Sequence, residues 1–308
     1  MNKPNFLTMC MSPTLQKTLV FSGFVKDMVN RTGEYRLDVS GKGINVSRVL
    51  TQLGKDCCHL TQLGGTLRPL FLELCRMDGI KVEWVESSSP IRFCYTLIDR
   101  ADKSVTELVE ESERVGDGTE KRLLDAFSLS IKKYSALIIS GTKAAGFSDE
   151  LVPEMVRQAR ELGCKIILDL RGQDLVRSLP FKPDIIKPNL FEFVSTFAPE
   201  LISGKIIRTT GGDLKERVGR IWAELHEKYA CSLVLTRGSD SVWYAEKGEL
   251  LEHNIKPVEV LNSTGSGDAF TAGLSAAYGE GASLGEAVAE GARCGALNAA
   301  ILRSGIIA

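Results

Sequence analysis

The residues best placed to do chemistry lie near the C-terminus, in Asn262-Ser263-Thr264-Gly265-Ser266-Gly267-Asp268-Ala269-Phe270-Thr271-Ala272-Gly273. Gly265 and Gly267 let the backbone approach a ligand closely and adopt unusual dihedrals. The segment then opens a helical pattern, so unpaired N–H groups and the positive dipole end face outward. Asp268 sits at that mouth. Donors that cradle an anion, beside a carboxylate that accepts a proton, suit phosphoryl transfer to a hydroxyl. The same tetrapeptide is also compatible with a plain turn in which Asp268 only caps a helix. A second constellation is Ser40-Gly41-Lys42-Gly43-Ile44-Asn45-Val46-Ser47-Arg48. Its glycines permit close approach to a polyol, and Asn45 both donates and accepts hydrogen bonds. Lys42 offers a point charge to a phosphate, or else simply to solvent.

These groups need a scaffold that brings residues 40–48 to residues 262–273. From about Leu137 the chain alternates short apolar runs with amphipathic stretches. The runs are Leu137-Ile138-Ile139, Ile166-Ile167-Leu168, Ile185-Ile186 and Leu233-Val234-Leu235. The pattern between them predicts helices over Asp149–Leu162 and Leu214–Tyr229. Such a rhythm indicates a mostly parallel sheet flanked by helices. Ligands of these sheets bind beyond the carboxyl ends of the strands. Two last helices are expected over Ala269–Tyr278 and Leu284–Leu302, the second opened by the capping-box pair Ser283 and Glu286. Residues 43–77 read as a helical region. Thr14–Val39 and Ile91–Val109 break the rhythm. The alternation Phe93, Tyr95, Leu97 and the polar turn Asp99–Lys103 read as a hairpin. The two pieces together predict a small sheet over the main one.

The chain has 308 residues, 44% hydrophobic and 25% charged, with a net charge of −1. Such a length buries a sizeable core without disulfides or a structural metal. With no global positive field, neither nucleic acid nor a membrane surface is expected as a partner. No apolar run approaches the roughly 20 residues that cross a bilayer, and the first residues do not read as a secretory signal. Eight cysteines are scattered without a C-x-x-C pair. They read as small buried hydrophobes, in keeping with a reducing cytoplasm.

The C-terminal segment resembles the signature D-T-T-G-A-G-D of the ribokinase or PfkB family of carbohydrate kinases, and the Gly41–Asn45 segment resembles that family's second signature. The resemblance extends over nearly the whole chain. It is nearest to the branch with 1-phosphofructokinase and tagatose-6-phosphate kinase, through Thr8-Met9-Cys10-Met11-Ser12-Pro13, Ile186-Lys187-Pro188-Asn189 and Val260-Leu261-Asn262. It implies a ribokinase-like α/β core of residues 1–13, 40–90 and 110–308. Residues 14–39 and 91–109 would form a β lid, which in the family often pairs between subunits into a homodimer. Asp268 falls on the catalytic base, and Gly265, Ser266 and Gly267 on the anion hole. Lys42 and Arg92 fall on residues that hold the phosphate of a sugar phosphate, with Gly41 and Asn45 beside them. Lys187, Asn189, Thr236, Gly238 and Asn298 fall on or near the ATP site. Asn189 and Glu192 match N-x-x-E, which organises Mg²⁺ largely through water. The expected activity is ATP-dependent phosphorylation of a sugar-phosphate hydroxyl. A kinase for a free sugar or nucleoside, and a non-catalytic sugar sensor, are the alternatives.

The chain departs from the branch at several positions. Gln16 stands where the branch has an aspartate that binds sugar hydroxyls; Gln16 still hydrogen-bonds, without charge. Asn262 replaces the first aspartate of the signature, which leaves open whether a monovalent-cation site of the ribokinase kind is kept. Thr142-Lys143-Ala144 replaces S-L-P after Ser140-Gly141. Asp169-Leu170-Arg171-Gly172 replaces D-x-S-G. Lys143 and Arg171 thus add cations at strand ends, either toward the site, for a more anionic or differently shaped substrate, or toward solvent. The last helix common in the branch has no counterpart before Ile306-Ile307-Ala308.

Overall fold

The computed structural model describes residues 3–204, 206–246 and 248–308. It begins with strands β1 (Asn5–Met9), β2 (Thr14–Phe21) and β3 (Glu34–Ser40). Helix α1 (Lys42–Gln52), β4 (Asp56–Gly64), α2 (Arg68–Met77) and β5 (Lys81–Ser87) follow, then the hairpin β6 (Arg92–Asp99) and β7 (Ser104–Val109). Next come α3 (Thr119–Ser130), β8 (Ala136–Ser140), α4 (Leu151–Glu161), β9 (Lys165–Asp169), α5 (Gly172–Ser178), β10 (Ile185–Ile186) and α6 (Leu190–Phe197). A short hairpin, β11 (Ile202–Ser203) and β12 (Ile206–Ile207), leads to α7 (Gly211–Tyr229) and β13 (Ser232–Leu235). The antiparallel strands β14 (Val242–Glu246) and β15 (Glu249–His253) precede α8 (Ser266–Gly279) and α9 (Leu284–Ala299).

The central sheet has the order β15-β14-β13-β10-β9-β8-β1-β4-β5, parallel from β13 to β5. Its inner strands β1, β8, β9, β10 and β13 are largely apolar on both faces because both are covered. Leu7 and Met9 of β1 and Leu137 and Ile139 of β8 face α3–α7. Phe6, Ala136 and Ile138 face the other way, onto α1, α8 and α9. The eight cysteines are all buried and free, as their apolar settings indicate.

One expectation fails. Residues 43–77 are not continuously helical; β4 runs through them and pairs with β1 and β5. All of Cys57–Gly64 is buried. A strand covered on both faces needs no alternation, so Cys-Cys-His-Leu-Thr-Gln-Leu shows no period of two. Helix α9 also stops at Ala299, short of Leu302. The capping box Ser283–Glu286 forms as expected, and so does the α8 helix, one turn earlier than its apolar pattern suggests.

A second, four-stranded sheet has the order β3-β2-β6-β7. It unites the two irregular segments, with the hairpin turn where Asp99–Lys103 predicts it. Strands β2 and β6 pair in parallel over eight residues, from Thr14↔Arg92 to Phe21↔Asp99. One face carries the row Asp38, Gln16, Cys94, Val109 and the row Arg36, Thr18, Thr96, Glu107. The other carries Tyr35, Leu19 and Leu97, with Leu108 beside Tyr95.

The first turn of α1 lies hard against the end of β1. A Cβ on Gly43 would come within 2.6 Å of the Met9 carbonyl oxygen. Backbone cannot yield as a side chain does, so Gly43→Ala should cost about 1–3 kcal/mol in urea unfolding. The same change should displace Lys42 and Asn45 and lower turnover of the variant that remains folded.

Candidate active site

The carboxyl ends of the central strands and one face of the small sheet enclose a cleft of about 520 Å³. Helices α1 and α8 both point their N-termini into it. Gly41 precedes α1 with φ 107°, and Gly265 precedes α8 with φ 83°. Both are conformations that glycine adopts freely. At Gly265 space is short as well: a Cβ would lie 2.9 Å from Ser304 Cβ and 3.0 Å from the Gly305 nitrogen. The Gly265, Gly267 and Asp268 N–H groups have no acceptor among the described residues. Ser266 differs from the expectation: its N–H donates to the Ser263 carbonyl at 3.1 Å, so the turn itself uses that donor.

Asp268 is buried and lines the cleft. Asn45 Nδ2 donates to its Oδ2 at 2.8 Å. The orientation of the Asn45 amide is set from behind, where Arg48 Nη1 donates to Asn45 Oδ1 at 2.9 Å. Arg48 in turn is fixed by Asp78, 2.9 Å from its Nε. Burial pushes the Asp268 carboxyl up to about 7, against the pull of Lys42, with nearby Asp169 adding to the rise and Asn45 and Lys187 opposing it. A carboxyl with that affinity is half-ionised near neutral pH.

A second carboxylate lies deeper. Asp169, at the end of β9, accepts from Ser140 Oγ at 2.9 Å and Thr271 Oγ1 at 3.0 Å. Lys187 Nζ stands 3.3 Å from it and Lys42 Nζ 3.8 Å. Burial alone would raise its affinity for a proton, but Lys187, Lys42 and the two hydroxyls hold it below the usual carboxylate range. Lys42 keeps its own proton firmly, chiefly because of Asp169 and despite burial, and it also lies 3.6 Å from Glu192.

Glu192 and Asn189 form a reciprocal capping box at the start of α6: Glu192 N–H donates to Asn189 Oδ1 at 2.8 Å, and Asn189 N–H to Glu192 Oε2 at 3.0 Å. Glu192 Oε1 remains turned toward Lys42 and the cleft. Asn189 bridges to Thr236 at the end of β13, which places both on the cleft wall. The small sheet supplies Gln16, whose Nε2 donates to Thr96 Oγ1 at 2.7 Å. Arg92 reaches Thr14 Oγ1 at 3.2 Å and the Glu110 carbonyl at 2.6 Å. Thus Gln16, Gly41, Lys42, Asn45, Arg92 and Lys187 converge with Asn189, Glu192, Thr236, Gly265, Gly267 and Asp268.

Two expected members lie elsewhere. Asn298 is fully buried, and its Nδ2 donates to the Arg303 and Ile306 carbonyls at 3.2 and 3.1 Å. With its amide spent on the C-terminal segment, Asn298 supports the Gly265 turn from below and offers nothing to a base. Gly238 is exposed in the turn after β13, outside the cleft lining. Lys143, one of the two added cations, is neutralised by Asp149 at 2.9 Å and by Asp174.

Sequence reasoning missed Glu107, which lines the cleft and accepts from Thr264 Oγ1 at 3.2 Å. Its place in the hairpin alternation, in register with Thr96, was the available signal. It also missed an exposed apolar run, Val258, Val260 and Leu261. The Leu261 N–H bonds to the Ala299 carbonyl at 2.8 Å, near exposed Leu297.

The profile of the pfkB family of carbohydrate kinases matches residues 15–305. The chain belongs to that family. A tagatose-6-phosphate kinase of Staphylococcus epidermidis is 26% identical over 271 residues, 87% of this chain and 84% of the relative. Among solved structures, a possible 1-phosphofructokinase of Thermotoga maritima superposes with TM-score 0.84 at 21% identity, over 97% of this chain and 93% of that one. Escherichia coli phosphofructokinase-2 in complex with substrates and products superposes with TM-score 0.83 at 20% identity, covering 96% and 93%.

The raised affinity of Asp268 makes a stability prediction. The unfolded carboxyl ionises near its ordinary value, whereas the folded one resists ionisation until about pH 7. Stability is therefore lost as pH rises through that interval. Asp268→Asn removes the penalty, so it should stabilise the protein at pH 8 by roughly 2–4 kcal/mol. The gain should shrink steadily toward pH 4, as thermal melts at matched ionic strength will read. An equal gain at all pH values would contradict an ionisable, buried Asp268.

Proposed function

We propose that the protein transfers the γ-phosphoryl group of ATP to a hydroxyl of a sugar phosphate, as 1-phosphofructokinase and tagatose-6-phosphate kinase do. The observation that carries this reading is the convergence on one spot of a buried carboxylate and unpaired helix-end amides. Asp268 accepts the proton of the attacking hydroxyl. The Gly265, Gly267 and Asp268 amides hold the phosphoryl oxygens as charge develops on them. Lys42, already charged and lying between Asp169 and Glu192, favours the same transition state. Asn45 steers Asp268 and offers its site to the sugar hydroxyls, with Gln16 across the cleft.

Arg92 supports a phosphorylated sugar over a free one. It lines the cleft without a carboxylate partner among the described residues, and a guanidinium suits a phosphate. Lys187, Asn189 and Thr236 form the wall for the nucleotide phosphates. The exposed Val258, Val260 and Leu261 offer an apolar surface for the base. Asn189 and Glu192 are oxygen donors of the kind Mg²⁺ accepts, and few are needed because the ion keeps its waters. That ion would supply charge neutralisation for the phosphates. The small sheet acts as a lid, and its closure excludes water from the transfer. The outer face of the lid carries exposed Tyr35 and Leu108, which suits a homodimer joined lid to lid. No described helix is long and apolar enough to cross a membrane, in keeping with a cytoplasmic enzyme.

An ADP-release assay with Mg-ATP tests the assignment, using tagatose 6-phosphate, fructose 1-phosphate, fructose 6-phosphate and the free ketohexoses. Turnover of a phosphosugar is expected; turnover of free sugars alone would favour a ribokinase-like role. Asp268→Asn should lower kcat by about 10²–10⁴. The wild-type kcat/KM should fall as pH drops through about 7, where Asp268 takes up its proton. Tyr35→Asp with Leu108→Asp should shift the particle to monomer mass in light scattering; an unchanged mass would place the contact elsewhere.

A further inference from the structure

A second chamber, of about 500 Å³, opens off the cleft. The two share Gly41, Lys42, Arg92, Asp169 and Glu192, so they adjoin. Their far walls differ. The nucleotide side, Asn189, Thr236, Gly265 and Gly267, lines only the main cleft. Ser12, Thr142, Lys143 and Arg171 line only the side chamber. A substrate with its hydroxyl at Asp268 and its body past Lys42 therefore extends its distal end into the chamber.

The charges there are unequal in their freedom. Lys42 is engaged by Asp169 and Glu192, and Lys143 by Asp149 and Asp174. Arg92 meets only a hydroxyl and a carbonyl. Arg171, exposed at the N-cap of α5, has no carboxylate partner among the described residues. It lies close enough to Lys42 to oppose the strong hold that Asp169 gives that lysine on its proton. Two guanidiniums thus face one chamber without a counter-ion of their own. Glu107 and Glu111 also line it; they suit hydroxyl donors, so the complement is a polyol bearing a dianion rather than a bare anion.

We infer that Arg171 is a specificity-determining residue, which together with Arg92 grips the phosphate that the sugar already carries. The inference rests on the sugar-phosphate reading above and adds to it the residue that this chain has where the D-x-S-G pattern has a serine. Guanidinium forks bind phosphate in a bidentate, directional way, and each such charged hydrogen bond lost is felt strongly.

The test is Arg171→Ser, with Arg171→Lys beside it. Serine is itself a good N-cap, so α5 should persist. The readout is kcat/KM for tagatose 6-phosphate, fructose 1-phosphate and fructose 6-phosphate, and for the matching free ketohexoses, with KM for Mg-ATP measured in parallel. Loss of a charged hydrogen bond predicts a fall of roughly 10–100-fold for the phosphosugar. Free-sugar turnover and KM for Mg-ATP should not move, and lysine should restore part of the loss. An unchanged phosphosugar kcat/KM, an equal fall for the free sugar, or a change confined to KM for Mg-ATP would each overturn the role of Arg171. A wild-type protein inactive on every phosphosugar would overturn the function proposed above, and this inference with it.

Discussion

Two buried carboxylates and two lysines share the floor of the cleft, and how they divide decides what the floor can do. Asp169 takes both ammonium groups and two hydroxyls, which commits it to the charged state. Asp268, with one amide donor and little else, is left reluctant to ionise. Were the lysines to turn to Asp268 instead, it would become a weak base, and Asp169 would face burial unpaired. A buried charge without partners is costly, so the pairing at Asp169 is what permits a poised carboxyl next door. Thr271, three residues after Asp268 on α8, donates to Asp169. The helix that carries Asp268 therefore also holds the group that keeps it poised.

Behind this floor stands a mostly dry support. Arg48 is buried and links Asn45, the Val39 carbonyl, the Ser304 carbonyl and Asp78. Arg303 joins Asp38 of β3 to Asp78 after α2. The C-terminal segment thus wedges between the Gly265 turn and the root of the small sheet. At Gly265 the packing against Ser304, Gly305 and Asn298 leaves no room for even a methyl group.

Much of this was readable in advance, because short-range chemistry leaves marks in sequence. Gly41, Lys42, Asn45, Gly265 and Asp268 announced themselves through residue type and spacing. The parallel order was visible in the apolar runs after Leu137. Strand β4 was not, since burial on both faces erases alternation and Cys57–Leu63 then looks like either element. Asn298 was misjudged for a different reason. Position on α9 near the site says nothing about which way an amide turns, and here the Arg303 and Ile306 carbonyls claimed it. Lys143 shows the same limit: Asp149 lies in its own loop, but Asp174 of α5 is brought to it only by the packing of the fold. Glu107 reaches Thr264 across 157 positions of chain, a separation no local pattern reports.

Strands β2 and β6 run in parallel, and parallel neighbours need a long crossover between them. Here the chain, after β3, crosses through α1, β4, α2 and β5, which are parts of the main body rather than of the small sheet. The small sheet therefore has no covalent continuity of its own. It cannot be excised and expressed alone, and a chimera that borrows it must graft two separate fragments at once. This wall can be reshaped residue by residue, but it cannot be moved as one contiguous cassette.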